Sequence, residues 1–324
     1  MKHAPEGARG DKLTIFGLAW NSATLLLCSA CLFWALNPIV ARAVRALISP
    51  VALSFGRWGT AAIIVTLFAW PHLKRDWATI VRSWRMLLLL SLLGIGLFST
   101  LVYWGLQYTT AVNNLMMQAA MPSMILITSA LLFGDRITPG QIAGAIVSLA
   151  GLLTIITRGS LDNLLALEFN RGDAAALGGV FLYSVYSAVL RKKPPIHPLS
   201  LLTALFWIGV AMLLPLLAIE LAHDVVLEPR LATFGAILYV GIFPSLLAYF
   251  FFNRSVELIG AARAGVYMNL PPVFGIGLAI PLLGERLEAF HLVGAALVGI
   301  GIWTSLRKAS GQAQVPPAEA LEPR

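Results

Sequence analysis

The 324-residue chain is poor in charge: Asp, Glu, Lys and Arg make up 12% of it, against 58% hydrophobic residues. A soluble domain carries about 25% charged residues, so this chain cannot clothe a water-facing surface. It has two cysteines, Cys28 and Cys31, within one apolar run. CxxC spacing is open to a redox or metal reading. With no His or acid close in sequence, the pair reads as small apolar packing residues, and no disulfide framework follows. A phosphate-cradling GxxxxGK[ST] loop is missing, so ATP bound in such a loop of this chain is not expected as a driving force. His3, His72, His197, His223 and His291 sit at termini or near helix ends. They suggest neither a metal cluster nor a cofactor site. None of the 15 acids falls in the middle of an apolar run. Proton antiport through an intramembrane carboxylate is therefore disfavoured. An enzyme active site would need converging acid, base or metal groups, and none is in view.

What is present is apolar length. A span needs roughly 20 mostly apolar residues. Ten segments qualify: 22–41, 50–70, 86–107, 111–133, 139–157, 174–191, 199–220, 232–253, 261–283 and 288–306. The connections are short, the longest being Pro71–Arg85, Arg158–Asp173 and Leu221–Leu231. The expected fold is an all-α integral membrane bundle of ten transmembrane helices. The basic N-terminal segment, 1–21, reads as the cytoplasmic flank of an uncleaved first helix. The Pro-, Ala- and Glu-rich tail, 307–324, reads as a cytoplasmic disordered segment.

The net charge of +8 would suggest nucleic acid for a soluble chain. Here the basic residues lie between the apolar runs, which points to a lipid bilayer instead. With the N-terminus inside, 16 Lys and Arg fall on the inner side and 6 on the outer, and Arg57 lies within a span. That bias puts both termini in the cytoplasm, in a multi-pass protein of the cell (inner) membrane.

The chain also repeats itself at an offset of 150. Pro122 answers Pro272, Gly134 answers Gly284, Gly144 answers Gly294, Gly151 answers Gly301 and Thr154 answers Thr304. "LLFGDR" answers "PLLGER", with Asp135 opposite Glu285. Five spans per copy is odd, so the second copy enters the membrane inverted. Inverted repeats are an architecture of secondary transporters, with the substrate near the midplane between the halves.

Four stretches carry a family resemblance: "FWALNPIVAR", "SPVALSFGRWG", "YWGLQYTTAVNNLMMQAAMPSMILITSALLFGDRIT" and "AYFFFNRSVELIGAARAGVYMNLPPVFGIGLAIPLLGERL". In their order the chain resembles the EamA-type transporters of the drug/metabolite transporter superfamily, over residues 22–306. The resemblance implies two EamA-like five-helix repeats, 22–157 and 174–306, joined by an external loop, 158–173. It also implies alternating access, with amino acids (aromatic ones in some members), their derivatives, metabolites or drugs as cargo, often moved outward. An arginine at the Arg57 position is typical of the family, which implies a structural or gating role. An exporter of amino acids or related metabolites is the leading expectation. Efflux of amphipathic drugs or organic cations is the alternative, and a non-transporting receptor or assembly subunit a second one. The state is left open between monomer and homodimer.

Candidate site residues follow from the helix breaks. Proline removes a backbone bond to the residue four back, so Pro122, Pro271 and Pro272 would free the carbonyls of Gln118, Tyr267 and Met268. Free carbonyls persist in a bilayer where protein buries them or a wet cavity faces them. Pro38 would likewise free the carbonyl of Trp34. Gln118 and Asn269 offer both donors and acceptors, and interhelical glue is the bland reading of each. Trp34, Asn37, Tyr103, Tyr183, Tyr186, Tyr249, Asn253 and Tyr267 complete an aromatic and polar set suited to a small-molecule pocket. At an offset of 149, Tyr183 faces Trp34 and Tyr186 faces Asn37. The expected pocket lies between the first, third, fourth, sixth, eighth and ninth spans. Trp70, Trp77, Trp84 and Trp303 fit an interfacial belt. Asn113 and Asn114 read as caps of the fourth span, Arg136 and Arg286 as loop anchors, and the Gly140/Gly144 pair as packing. Arg57 sits seven residues into its helix, near enough to the end to snorkel.

Overall fold

The structure, a computed structural model, describes residues 20–135, 137–160, 170–222, 227–259, 264 and 267–307. Most of the N-terminal segment, nearly all of the tail, much of the external loop, His223 and Arg136 lie outside the described residues.

The described chain is helical. We number α1 Ala23–Ala43, α2 Pro50–Arg82, α3 Trp84–Gly105, α4 Ala111–Ala119, α5 Met121–Phe133 and α6 Pro139–Ile156. The second half has α7 Arg171–Val189, α8 Pro198–Ala222, α9 Leu231–Ile259, α10 Leu270–Leu283 and α11 Ala289–Arg307. Seven of these runs are long and apolar enough to cross a membrane; α4 and α5 form an apolar pair bent by 46°, a broken span or a re-entrant loop, and α10 and α11 are shorter apolar helices. Short polar side chains open many of the runs. The side chains of Ser49, Thr110, Thr138 and Asn170 each accept a backbone N–H of the first turn, which satisfies donors that a helix start leaves orphaned.

Thr110, not Asn113 or Asn114, caps α4. The Glu285 carboxylate also accepts the amides of Ala111 and Val112, at 2.8 and 2.9 Å. The Asn113 amide instead reaches Thr109, Asp173 and, at 2.7 Å, His291 Nε2. Two acids assigned to loops are helical and buried, Asp76 in α2 and Asp173 in the first turn of α7. The expected connection Pro71–Arg85 is also helical, because α2 runs through Pro71 to Arg82. A proline inside a helix forfeits one backbone bond. Here the helix carries on past it, and Asp76 accepts the backbone N–H of His197 at 2.9 Å.

Burial is inverted relative to a soluble protein. Large apolar side chains such as Leu67, Phe68, Leu131 and Ile146 stand exposed. Serines are buried in the interior and return their hydroxyls to helix carbonyls, as Ser99, Ser184 and Ser255 do. Such an exterior suits lipid rather than water.

Packing repeats when the halves are exchanged. α1 packs on α9 and α10, and its counterpart α7 packs on α3 and α5. α2 packs on α8, and α6 lies along α11. The α6–α11 contact runs backbone to backbone through Gly144, Gly151, Gly294 and Gly301. A Cβ on Gly151 would lie 2.7 Å from the carbonyl oxygen of Gly294. Close approach through small residues is how helices associate in lipid, where burial of apolar surface supplies no drive.

Irregular backbone repeats as well. A π-helical turn interrupts α3 at Leu92–Leu97 and α9 at Phe243–Leu247. Gly134 and Gly284 end α5 and α10 in the left-handed conformation, with φ of 69° and 67°. These caps carry the glycines that only the 150-residue offset had linked.

Candidate functional site

The expected proline breaks take a different form. The chain bends at Ala120, and Pro122 occupies the first turn of α5. Pro271 and Pro272 open α10 after a 3₁₀ turn, Tyr267–Asn269. A first-turn proline lacks only an N–H that would have no helical partner anyway. The prolines therefore start the second helical pieces instead of kinking continuous ones. Pro38 does lie within α1 and is buried.

Between these elements lies a cavity of about 290 Å³. Trp34 and Asn37 of α1, Arg57 of α2 and Phe98 of α3 line it, with Leu115, Gln118, Ala119 and Met121 from the α4–α5 bend. Tyr183 of α7, Tyr249 and Phe252 of α9, and Met268, Pro271 and Pro272 at the start of α10 close it. Both halves contribute, and the repeat-related Trp34 and Tyr183 both reach it. The walls are aromatic: Trp34 stands edge-on to Tyr249 at 5.7 Å and Phe98 lies 4.8 Å from Tyr183.

Of the expected residues, Trp34, Asn37, Arg57, Gln118, Tyr183, Tyr249, Pro271 and Pro272 meet at the cavity. Tyr103 stands just behind it, fully buried. Tyr186, Asn253, Tyr267, Asn269, Pro38 and Pro122 are not among its lining residues. Tyr186 instead packs on Gly94 in the α3 π-turn, where a Cβ would come within 2.6 Å of its ring. Asn253, Asn269 and Pro122 are exposed. Tyr267 pairs with Thr24 through its hydroxyl, and its carbonyl accepts from Cys31. The apolar lining residues Phe98, Leu115, Ala119, Met121 and Phe252 were not singled out from sequence, and Met268 only through its backbone carbonyl. Nothing marks them among so many apolar neighbours.

Arg57 does not snorkel; it is buried beside the cavity, 6% exposed. Its Nε donates to Ser245 Oγ at 2.7 Å and its Nη1 to the Tyr103 hydroxyl at 3.0 Å. Each hydroxyl passes its own proton onward. Ser245 donates to the Val240 carbonyl and Tyr103 to Asn37 Oδ1, both at 2.8 Å. The Val240 bond spans five residues, so the π-turn of α9 is what sets Ser245 in reach. π-turns inside helices recur at functional sites. The guanidinium also lies 4.4 Å from the centroid of the Trp58 ring, a favourable cation–π distance. Gln118 donates to Asn114 Oδ1 at 2.5 Å. That bond separately links the cavity wall to Asn114, buried in α4. The residues at the cavity supply hydrogen-bonding groups, aromatic faces and one cation, but no nucleophile–base pair. Their arrangement suits holding a molecule rather than transforming one.

A helical bundle with an apolar exterior and a cavity where its two halves meet is the build of a membrane transporter, and the family and the relatives' names point to a transporter rather than an enzyme. The chain belongs to the EamA-like transporter family, which matches it twice, over residues 21–157 and 170–307. It is similar to the uncharacterised transporter YyaM of Bacillus subtilis, at 27% identity over 85% of this chain and 88% of that protein. It is similar also to a probable terminal-alkyne amino-acid exporter of Streptantibioticus cattleyicolor, at 26% identity over 80% of this chain and 85% of that protein. A probable amino-acid metabolite efflux pump of Salmonella typhimurium is 24% identical over 55% of this chain and 61% of its own length. One solved crystal structure shares the fold, with a TM-score of 0.60 and 20% identity over 89% of this chain and 98% of that one.

Proposed function

We propose that this protein is a secondary carrier of ten spans, built as two inverted five-span repeats with both termini in the cytoplasm. It would export amino acids, aromatic ones among them, or related metabolites across the cell (inner) membrane by alternating access. The observation that carries this reading is the cavity at the meeting of the halves, lined by Trp34 and Tyr183 from equivalent helices. The bent α4–α5 span and the paired π-turns supply places where packed helices can rearrange, as rocking of one repeat against the other requires. The swapped packing pairs and the matched left-handed caps support the repeat. Two relatives named for amino-acid or amino-acid-metabolite export support the cargo class.

The second reading is efflux of amphipathic drugs or organic cations, and the aromatic walls favour it. The charge at the cavity opposes its cationic half, since Arg57 is the charged residue among those lining it. Counterflow into proteoliposomes, loaded in turn with each of a panel of amino acids and metabolites, tests the carrier reading. Saturable uptake of labelled solute against at least one loaded member is expected. Absence of counterflow for every member, with correctly folded protein, refutes it.

A further inference from the structure

We infer that the cavity recognises its cargo by a carboxylate, and that Arg57 is the cation that holds it. This rests on the carrier reading and specifies the same site. A charge taken out of water persists in a protein interior when it is paired and hydrogen-bonded. Arg57 has two hydroxyl acceptors and an aromatic face, yet among the described residues no Asp or Glu forms an ion pair with it. No acid lines the cavity either. A guanidinium has five N–H donors, and the two bonds to Ser245 and Tyr103 occupy one at Nε and one at Nη1. The donors left at Nη1 and Nη2 have no partner among the described residues, and the side chain borders open space. The countercharge the chain withholds is one a cargo can bring.

Geometry and charge narrow the class. A planar guanidinium fork matches a carboxylate through two parallel bonds. One positive charge balances a monoanion; a dianionic phosphate would leave a net negative charge in a medium of low polarity. The rest of the wall is apolar or aromatic, from Trp34, Phe98, Tyr183, Tyr249 and Phe252, and suits a ring or alkyl chain beside the acid. At roughly 30 Å³ per water, the 290 Å³ cavity matches a molecule the size of an amino acid or a small aromatic acid. A cargo without the acid group would leave the arginine desolvated and unpaired, which rejects it.

Binding to the purified full-length protein, read by quenching of tryptophan fluorescence, separates the cases with three probes. L-phenylalanine and 3-phenylpropionate carry the carboxylate; L-phenylalaninamide keeps the ring and amine but not the acid. Both acids are expected to bind, and the amide to bind at least about 10-fold more weakly, the range of a charge-assisted hydrogen bond. Arg57→Gln is expected to erase that preference. Arg57→Lys, which keeps the charge but loses the fork, is expected to keep the preference at weaker affinity, a check on misfolding of the first variant. Equal binding of amide and acid by the wild-type protein overturns the inference and leaves the carrier reading standing. So does a preference for the acid that survives Arg57→Gln. Binding of none of the three overturns the inference, while the counterflow panel judges the carrier reading on its own.

Discussion

Replacing Gly151 by alanine tests whether α6 and α11 are held together backbone to backbone. The added Cβ would stand 2.7 Å from the Gly294 carbonyl oxygen and 2.9 Å from Val298 Cγ2 and its amide nitrogen. That is about 0.7 Å short of the 3.4 Å at which ordinary contact begins. The obstacle is mostly backbone, which cannot swing aside as a side-chain tip can. The helices must separate or bend, at an overpacking cost of about 1–3 kcal/mol. Alanine also gains about 1 kcal/mol over glycine within a helix, so the comparison must cancel that gain. Gly59→Ala does so, because a Cβ there meets nothing within 4 Å. The difference between the two variants is then the packing term alone. Thermal denaturation in detergent, followed by the monodisperse gel-filtration peak, should rank Gly59→Ala at or above the wild type and Gly151→Ala clearly below it. Gly294→Ala, facing the Gly151 carbonyl at 2.9 Å, should cost less when combined with Gly151→Ala than alone, since the first methyl has already parted the helices. Indistinguishable melts of Gly151→Ala and Gly59→Ala would refute the close-contact account.

At the cavity, Gln118→Leu should reduce counterflow severalfold while Asn269→Leu, outside the wall, leaves it near wild type; equal losses would count against the cavity as the transport site. Removing the Glu285 carboxylate by Glu285→Ala strips the amides of Ala111 and Val112 of their acceptor, and should lower thermal stability by about 1–3 kcal/mol. An unchanged melt would show that water replaces it. Partial burial, with His72 stacked at 3.6 Å, holds the His197 imidazole below its usual value. The unfolded chain then takes up a proton before the folded one as pH falls, so stability is lost on acidification below about pH 6.5. His72→Leu should shallow that loss in melts compared between about pH 7.5 and about pH 5.5, and an equal slope would exclude His72 as a cause.

Much of the scaffold was legible because lipid demands long apolar runs and a repeat preserves its punctuation. Gly134 and Gly284, Gly151 and Gly301 could be matched by counting residues, and the structure gives each pair an equivalent place. The boundary after Trp70 was misread because Pro71 looks like a stop, whereas α2 continues beyond it to Arg82. The prolines at 122, 271 and 272 marked the right places for the wrong reason, since they begin helices that a bend or a 3₁₀ turn had already interrupted. The π-turns carry no proline rule that covers both: Phe243–Leu247 contains Pro244, whereas Leu92–Leu97 has no proline and two glycines, Gly94 and Gly96.

The sequence by itself determined that the chain lives in a bilayer and that it is duplicated. Tertiary structure alone decided which face of each helix looks inward. In water, the contrast between core and solvent writes that face into the residue pattern. In lipid both sides are apolar, so Phe98 in the cavity wall and Leu97 on the exposed side read alike. Only the packed bundle turns Arg57 toward Tyr103, Ser245 and the cavity, and leaves its charge to be met from there.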